Sequence, residues 1–86
     1  MDKLDAIKLF ICAARVKSFT AAANELNMTQ GAVSKKIAWL ESKLGFTLFH
    51  RNARKISLTN SGEQYLAFCH ALIESMTLTE QNLKGE

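Results

Sequence analysis

A mainly α-helical domain carrying one short β-hairpin is the fold class this sequence predicts, and three observations predict it. Apolar residues recur at helical spacing in three separate runs between residues 4 and 44, a short stretch in the middle switches to strict alternation, and the last third returns to helical spacing without a break. The chain has 86 residues and no proline, and 48% of its residues are apolar. That composition suits helices around one small core and argues against disorder. A chain this short buries a limited share of its surface, so its stability is expected to be modest unless a partner covers more.

The first helix is predicted from about Leu4 to Val16, with Leu4, Ile7, Phe10, Ile11 and Ala14 as its core stripe and Asp2 or Asp5 favouring its positive end. Its role is scaffolding. In the second helix Thr20 reads as the N-cap, and Ala22, Ala23 and Leu26 are compact enough for two helices to cross closely. Asn27 tolerates a left-handed backbone and ends that helix without a glycine, and Met28 fills the corner. Thr29 then caps a third helix, whose opening N–H groups at Gln30, Gly31 and Ala32 form a ready anchor for phosphate.

Along the third helix Val33, Ile37, Leu40 and Leu44 make one apolar stripe. Opposite it, at about 100° per residue, lie Gly31, Ser34, Lys35, Ala38 and Ser42, a face of small, hydroxyl and basic side chains without a carboxylate. Glu41 falls at the edge of the core stripe, where it is expected to pair with a base instead of facing outward. Two such helices joined by a tight turn also fit an ordinary hairpin in a small bundle.

The residues after Leu44 argue for a more specific arrangement. The chain leaves the helix at Gly45 and enters an extended run to Arg51; Asn52-Ala53-Arg54-Lys55 is a polar turn, and Ile56-Ser57-Leu58-Thr59 alternates like a half-buried strand. This hairpin is a wing, with Arg51, Arg54 and Lys55 beside the third helix, where a second backbone or a minor groove would lie. The whole is a winged helix-turn-helix, three helices plus a β-hairpin, and double-stranded DNA is the expected partner. Charge agrees: residues 31–60 carry a net +5 and residues 61–86 a net −3, within an overall +3.

From about Asn60, paired with Glu63 as a capping box, a helix is predicted to about Leu83. Tyr65, Cys69, Leu72, Met76, Thr79 and Leu83 step by four and three alternately, the rhythm of a coiled-coil seam, and Leu66, Phe68 and Ile73 widen it. A helix of about 23 residues spans on the order of 35 Å, longer than so small a domain covers, so self-association is expected through Tyr65, Cys69, Leu72, Ile73, Met76 and Leu83. Its first half is expected to fold partly onto Phe10 and Ile11. The division expected is a DNA-binding unit at 1–59 and a linker or dimerisation helix at 60–86.

Thr20-Ala21-Ala22-Ala23, Leu26, Thr29-Gln30, Ala32-Val33-Ser34, Ile37, Leu40-Glu41, Leu44-Gly45, Leu48-Phe49, Arg51, Leu58-Thr59 and Gly62 together resemble the N-terminal domain of the LysR-type transcriptional regulators. The resemblance runs through helix, wing and following helix without a gap. Many members place proline where this chain has Gly31 and glutamine where it has Lys36. Glycine gives up a preset helical backbone, and lysine is a pure donor that favours phosphate. The resemblance implies a bacterial regulator acting as a homodimer, possibly a tetramer at full length, whose small-molecule effector binds a C-terminal domain absent from this chain.

Catalysis finds little support. Cys12 and Cys69 belong to no CxxC pair, His50 and His70 lie in different elements, and the four glycines are scattered, so neither zinc spacing nor a phosphate loop is present. Cys69 reads as a small buried hydrophobe, His50 as part of the wing base, and Trp39 as packing on the helix flank. No cofactor, metal or membrane partner is expected, and with no leader or long apolar span visible a cytoplasmic, nucleoid-associated location is expected. On DNA, Gln30, Ser34 and Lys35 are the candidates for the major groove, Thr20, Thr29, Gly31 and Lys36 for the backbone, and Arg54 with Lys55 and Arg51 for the wing. Two alternatives stand beside this reading: an architectural protein that binds DNA without sequence preference, and a module whose tail helix recruits another protein.

Overall fold

The computed structural model describes residues 2–52 and 55–85. In chain order it contains α1 (Lys3–Val16), α2 (Phe19–Glu25), α3 (Gln30–Leu44), β1 (Phe49–Arg51), β2 (Ile56–Leu58) and α4 (Asn60–Lys84). This is the predicted mainly helical fold, a three-helix core with a hairpin wing and a long closing helix.

α1 is the centre of the core and packs against α2, α3 and α4. Asp2 caps it, accepting from the N–H of Leu4, and Lys17 ends it in the left-handed region at φ 58°. Its buried face is wider than the predicted stripe: Ala6, Leu9, Cys12 and Ala13 are buried with Ile7 and Phe10, whereas Leu4, Ile11 and Ala14 are only half-buried. Three packed neighbours require that width, while a stripe read from the strongest hydrophobes alone passes over alanine and cysteine. Phe10 is fully buried, meeting Phe49 edge-on at 5.5 Å and Tyr65 at 5.9 Å. Glu25 pins α2 to α1, accepting from the Cys12 thiol at 3.0 Å and pairing with Arg15. The bond from Cys12, with Arg15 beside it, holds the Glu25 carboxyl below the usual carboxylate range, and burial first, then Glu25, raises the Cys12 thiol.

α2 is capped by Ser18, whose hydroxyl accepts from the N–H of Ala21 at 3.1 Å. The expected cap, Thr20, instead lies in the first turn, because the helix begins one residue before it at Phe19, which the core takes in. The turn forms as predicted: Asn27 is left-handed at φ 55°, Met28 donates back to Ala23 O, and Thr29 caps α3 through Ala32 N–H at 3.1 Å. Val33, Ile37 and Leu40 are fully buried, and Gly45 closes α3 at φ 83°.

β1 and β2 are antiparallel, pairing Phe49 with Leu58, His50 with Ser57 and Arg51 with Ile56. The strands are shorter than predicted: 46–48 lies outside the ladder, and Thr59 is not strand but the N-cap of α4, displacing Asn60 from that role. Thr59 is buried, with Oγ1 accepting from Gly62 N–H at 2.8 Å and donating to Thr47 O at 2.7 Å, while its own N–H donates to Leu48 O. This knot joins wing to helix. It also means that a boundary at 59/60 cuts through one hydrogen-bonded unit.

The first part of α4 completes the core. Cys69 is 0% exposed within a single chain, and Tyr65, Leu66 and Leu72 pack on the same cluster. Cys69 therefore has no surface left to offer a second subunit, which corrects its assignment to the seam, while Tyr65 and Leu72 are only half-buried where they pack on the core. Beyond Met76 every described residue of the helix is exposed, and the long axis of the molecule reaches 50 Å.

Burial pushes the Cys69 thiol up to about 11. A thiol whose folded pKa is raised contributes its stability below the unfolded value and loses it as pH rises, because the unfolded chain ionises first. This residue should thus lower stability as pH rises from about 9 towards 11. Urea midpoints measured from pH 8 to 11 should show a shallower decline in Cys69→Ala than in the parent chain; parallel curves would contradict the assignment.

Candidate nucleic-acid interface

Three elements meet in an open cleft of about 360 Å³. Thr20 comes from α2, Gln30 and Ser34 from the first turns of α3, and Arg51, Asn52 and Lys55 from the wing. The capped N-terminus of α3 opens at this cleft, so its unpaired N–H groups and positive dipole end add to the charge of the wing. Five of the residues singled out in the sequence, distant along the chain, are brought together here: Thr20, Gln30, Ser34, Arg51 and Lys55.

The remaining candidates on α3 lie outside the cleft. Lys35 is exposed, Lys36 is half-buried, and Thr29 works as the cap. Gly31 is exposed, with nothing within 4 Å of the place a Cβ would take. Its lack of a side chain is not demanded by any neighbour in the protein and leaves the helix start open to close approach from outside. Arg54 lies outside the described residues.

Arg51 is held within the protein. Its Nη2 donates to Glu41 Oε1 at 2.9 Å, and its guanidinium lies 5.4 Å from the centre of the Phe19 ring. The predicted pairing of Glu41 with a base is therefore present, and the base is Arg51. Trp39 packs partly against the core, with Lys43 Nζ 5.9 Å from its ring centre, and His50 is exposed on the wing.

Sequence reasoning missed Ser18 and Asn52. Ser18 was legible as a hydroxyl three residues before Ala21, in competition with Thr20, and only the entry of Phe19 into the core decides between them. Asn52 and Lys55 exchange backbone hydrogen bonds at 3.0 and 3.3 Å, closing the wing's turn so that both side chains reach the cleft. Among the described residues no three His, Cys, Asp or Glu side chains gather as metal ligands, and no helix is long and apolar enough to cross a membrane.

A family model described as bacterial regulatory helix-turn-helix protein, lysR family, matches residues 4–63. The chain is 36% identical to an HTH-type transcriptional repressor of Pseudomonas aeruginosa and 41% identical to the glycine cleavage system transcriptional activator of Escherichia coli K12. Each match runs over 85 residues and 99% of this chain, but over only 27% and 28% of those relatives, so the chain spans little more than a quarter of their length. Among solved structures, the CbnR DNA-binding domain in complex with DNA superposes with a TM-score of 0.90 at 27% identity, covering 99% of this chain and 97% of that one.

Proposed function

Since this chain belongs to the lysR family of bacterial regulatory helix-turn-helix proteins, we propose that it is the sequence-specific DNA-binding module of a transcriptional regulator that acts as a homodimer on an interrupted inverted repeat. The observation that carries this reading is the convergence of Thr20, Gln30, Ser34 and the wing on one cleft at the N-terminus of α3. A helix there enters a major groove about 12 Å wide with its first turns against the base edges. Gln30 is suited to adenine or phosphate, Ser34 to a base edge or phosphate, and Lys35 to guanine or a backbone oxygen. Thr20, Thr29 and Lys36 position the phosphates, with Gly31 allowing close approach. Lys55 and Arg54 work on the neighbouring minor groove, where a narrow A·T-rich stretch concentrates negative potential.

Dimerisation is supported by the apolar side chains that α4 leaves uncovered. Phe68, Leu78 and Leu83 are 53%, 52% and 67% exposed, and Ile73 and Met76 are half-buried. With Cys69 removed from the seam, Tyr65, Leu72, Ile73, Met76 and Leu83 are the residues proposed to meet a second copy. The linker role of residues 60–86, a cytoplasmic setting at the nucleoid, and an effector acting through a further domain of the full-length regulator belong to the same proposal.

Selection from a random duplex pool, followed by competition against unselected DNA at several salt concentrations, tests the reading. Enrichment of an interrupted palindrome is expected; tight but sequence-blind binding would point to an architectural role, and no binding would end the DNA reading. On the enriched site, Ser34→Ala should cost roughly 1–2 kcal/mol of discrimination while leaving binding to random DNA unchanged. Equal losses on both would remove Ser34 from base readout.

A further inference from the structure

We infer that Glu41 and Arg51 are positioning residues that fix the wing's direction relative to the recognition helix α3, and that Arg51 serves DNA binding only through the wing it holds. This rests on the DNA-binding reading above. The Glu41 carboxylate is 12% exposed. Its Oε2 accepts from the N–H of Leu48 at 2.7 Å and of Phe49 at 3.3 Å, and its Oε1 accepts from Arg51 Nη2 at 2.9 Å. A single side chain of α3 thus grips β1 at its entry and at its far end. The Arg51 guanidinium in turn lies over Phe19, and Phe19 meets Phe49 edge-on at 5.5 Å, so the contacts close into a ring through α3, β1 and α2.

Two strands of three residues have little rigidity of their own, and the direction in which Lys55 is presented depends on this grip. Charge bears on the same point. Glu41 is the one acidic residue in 31–60, and a free carboxylate within this basic segment would oppose its attraction for phosphate. Half-buried against two amides and a guanidinium, the carboxylate has its negative charge compensated by Arg51, and it offsets the charge that Arg51 would otherwise offer a polyanion.

Glu41→Gln and Arg51→Gln, singly and together, separate positioning from direct contact, with a fluorescently labelled duplex of mixed sequence as the probe. Glu41→Gln is expected to weaken binding about tenfold and to lower the slope of log affinity against log salt by about one, as wing cations leave the backbone. The double variant should bind within about twofold of either single one, because both remove the same grip. Tighter binding and a steeper slope in Glu41→Gln would show a freed Arg51 reaching phosphate and would overturn the inference. Without DNA, amide hydrogen exchange in β1 and β2 should quicken about tenfold in Glu41→Gln while the core amides of α3 keep their rates; unchanged wing rates would equally overturn it. A parent chain that bound no duplex would end the DNA reading instead, and the exchange measurement would still decide whether Glu41 holds the wing.

Discussion

Replacing Gly62 by alanine is expected to destabilise the fold by about 3 kcal/mol, at the upper end of what overpacking a tight contact costs. In an exposed helix the same change stabilises by about 1 kcal/mol, so the sign itself is diagnostic. Gly62 is buried in the first turn of α4, and a Cβ there would fall far inside van der Waals contact with the carbonyl oxygen of Leu48, 3.0 Å from its carbonyl carbon and 3.1 Å from Leu58 Cδ2. The obstacle is backbone, which cannot swing aside. Relief requires α4 to lift from the wing, which strains the Thr59 N–H bond to Leu48 O and the Thr59 Oγ1 bond to Thr47 O. It also draws Tyr65 and Cys69 away from the core around Phe10. A melting temperature lower by roughly 12–24 °C is expected for a domain of this size. A Gly62→Ala chain that melts with or above the parent would show that α4 does not seat on Leu48.

Charge reversal at Lys35 should have the largest effect on binding at the least cost to the fold. Lys35 is exposed on α3, on the side away from Val33, Ile37 and Leu40, so Lys35→Glu should leave the melting temperature within the small range typical of surface substitutions. Binding should respond differently, since the change removes one cation and adds one anion on the helix face proposed to meet the duplex. Affinity should fall about a hundredfold, close to 2.8 kcal/mol, and the salt slope by about one or more. Fluorescence anisotropy on the selected duplex at several salt concentrations measures both. Undiminished affinity would take Lys35 out of the interface and turn attention to Lys36 and Lys43 on the flanks.

The parts of the molecule legible in the sequence are those that local chemistry decides. Thr29 as a cap, Asn27 in the left-handed region, Gly45 as a helix stop and the stripe of Val33, Ile37, Leu40 and Leu44 each follow from a few neighbouring residues, and they stand as read save that Leu44 is only half-buried. The alternation of Ile56, Ser57 and Leu58 likewise placed the wing's second strand. The misread points share a cause. Ser18 displaces Thr20 because the core draws in Phe19; Thr59 displaces Asn60 because its hydroxyl also serves Thr47 O; and α1 buries alanines because three elements press on it at once.

The same division runs through function. By itself the sequence determined the fold class, the helix that carries the candidate groove face, and the concentration of positive charge between residues 31 and 60, because periodicity, capping and charge are local or additive quantities. Tertiary structure alone decided which of those residues share a cleft, that Arg51 spends its charge on Glu41, that Cys69 closes the core instead of joining a seam, and that Gly62 admits no side chain. Each of these depends on the approach of elements far apart in the chain, where burial and contact distance, which no spacing along the sequence encodes, set the energy.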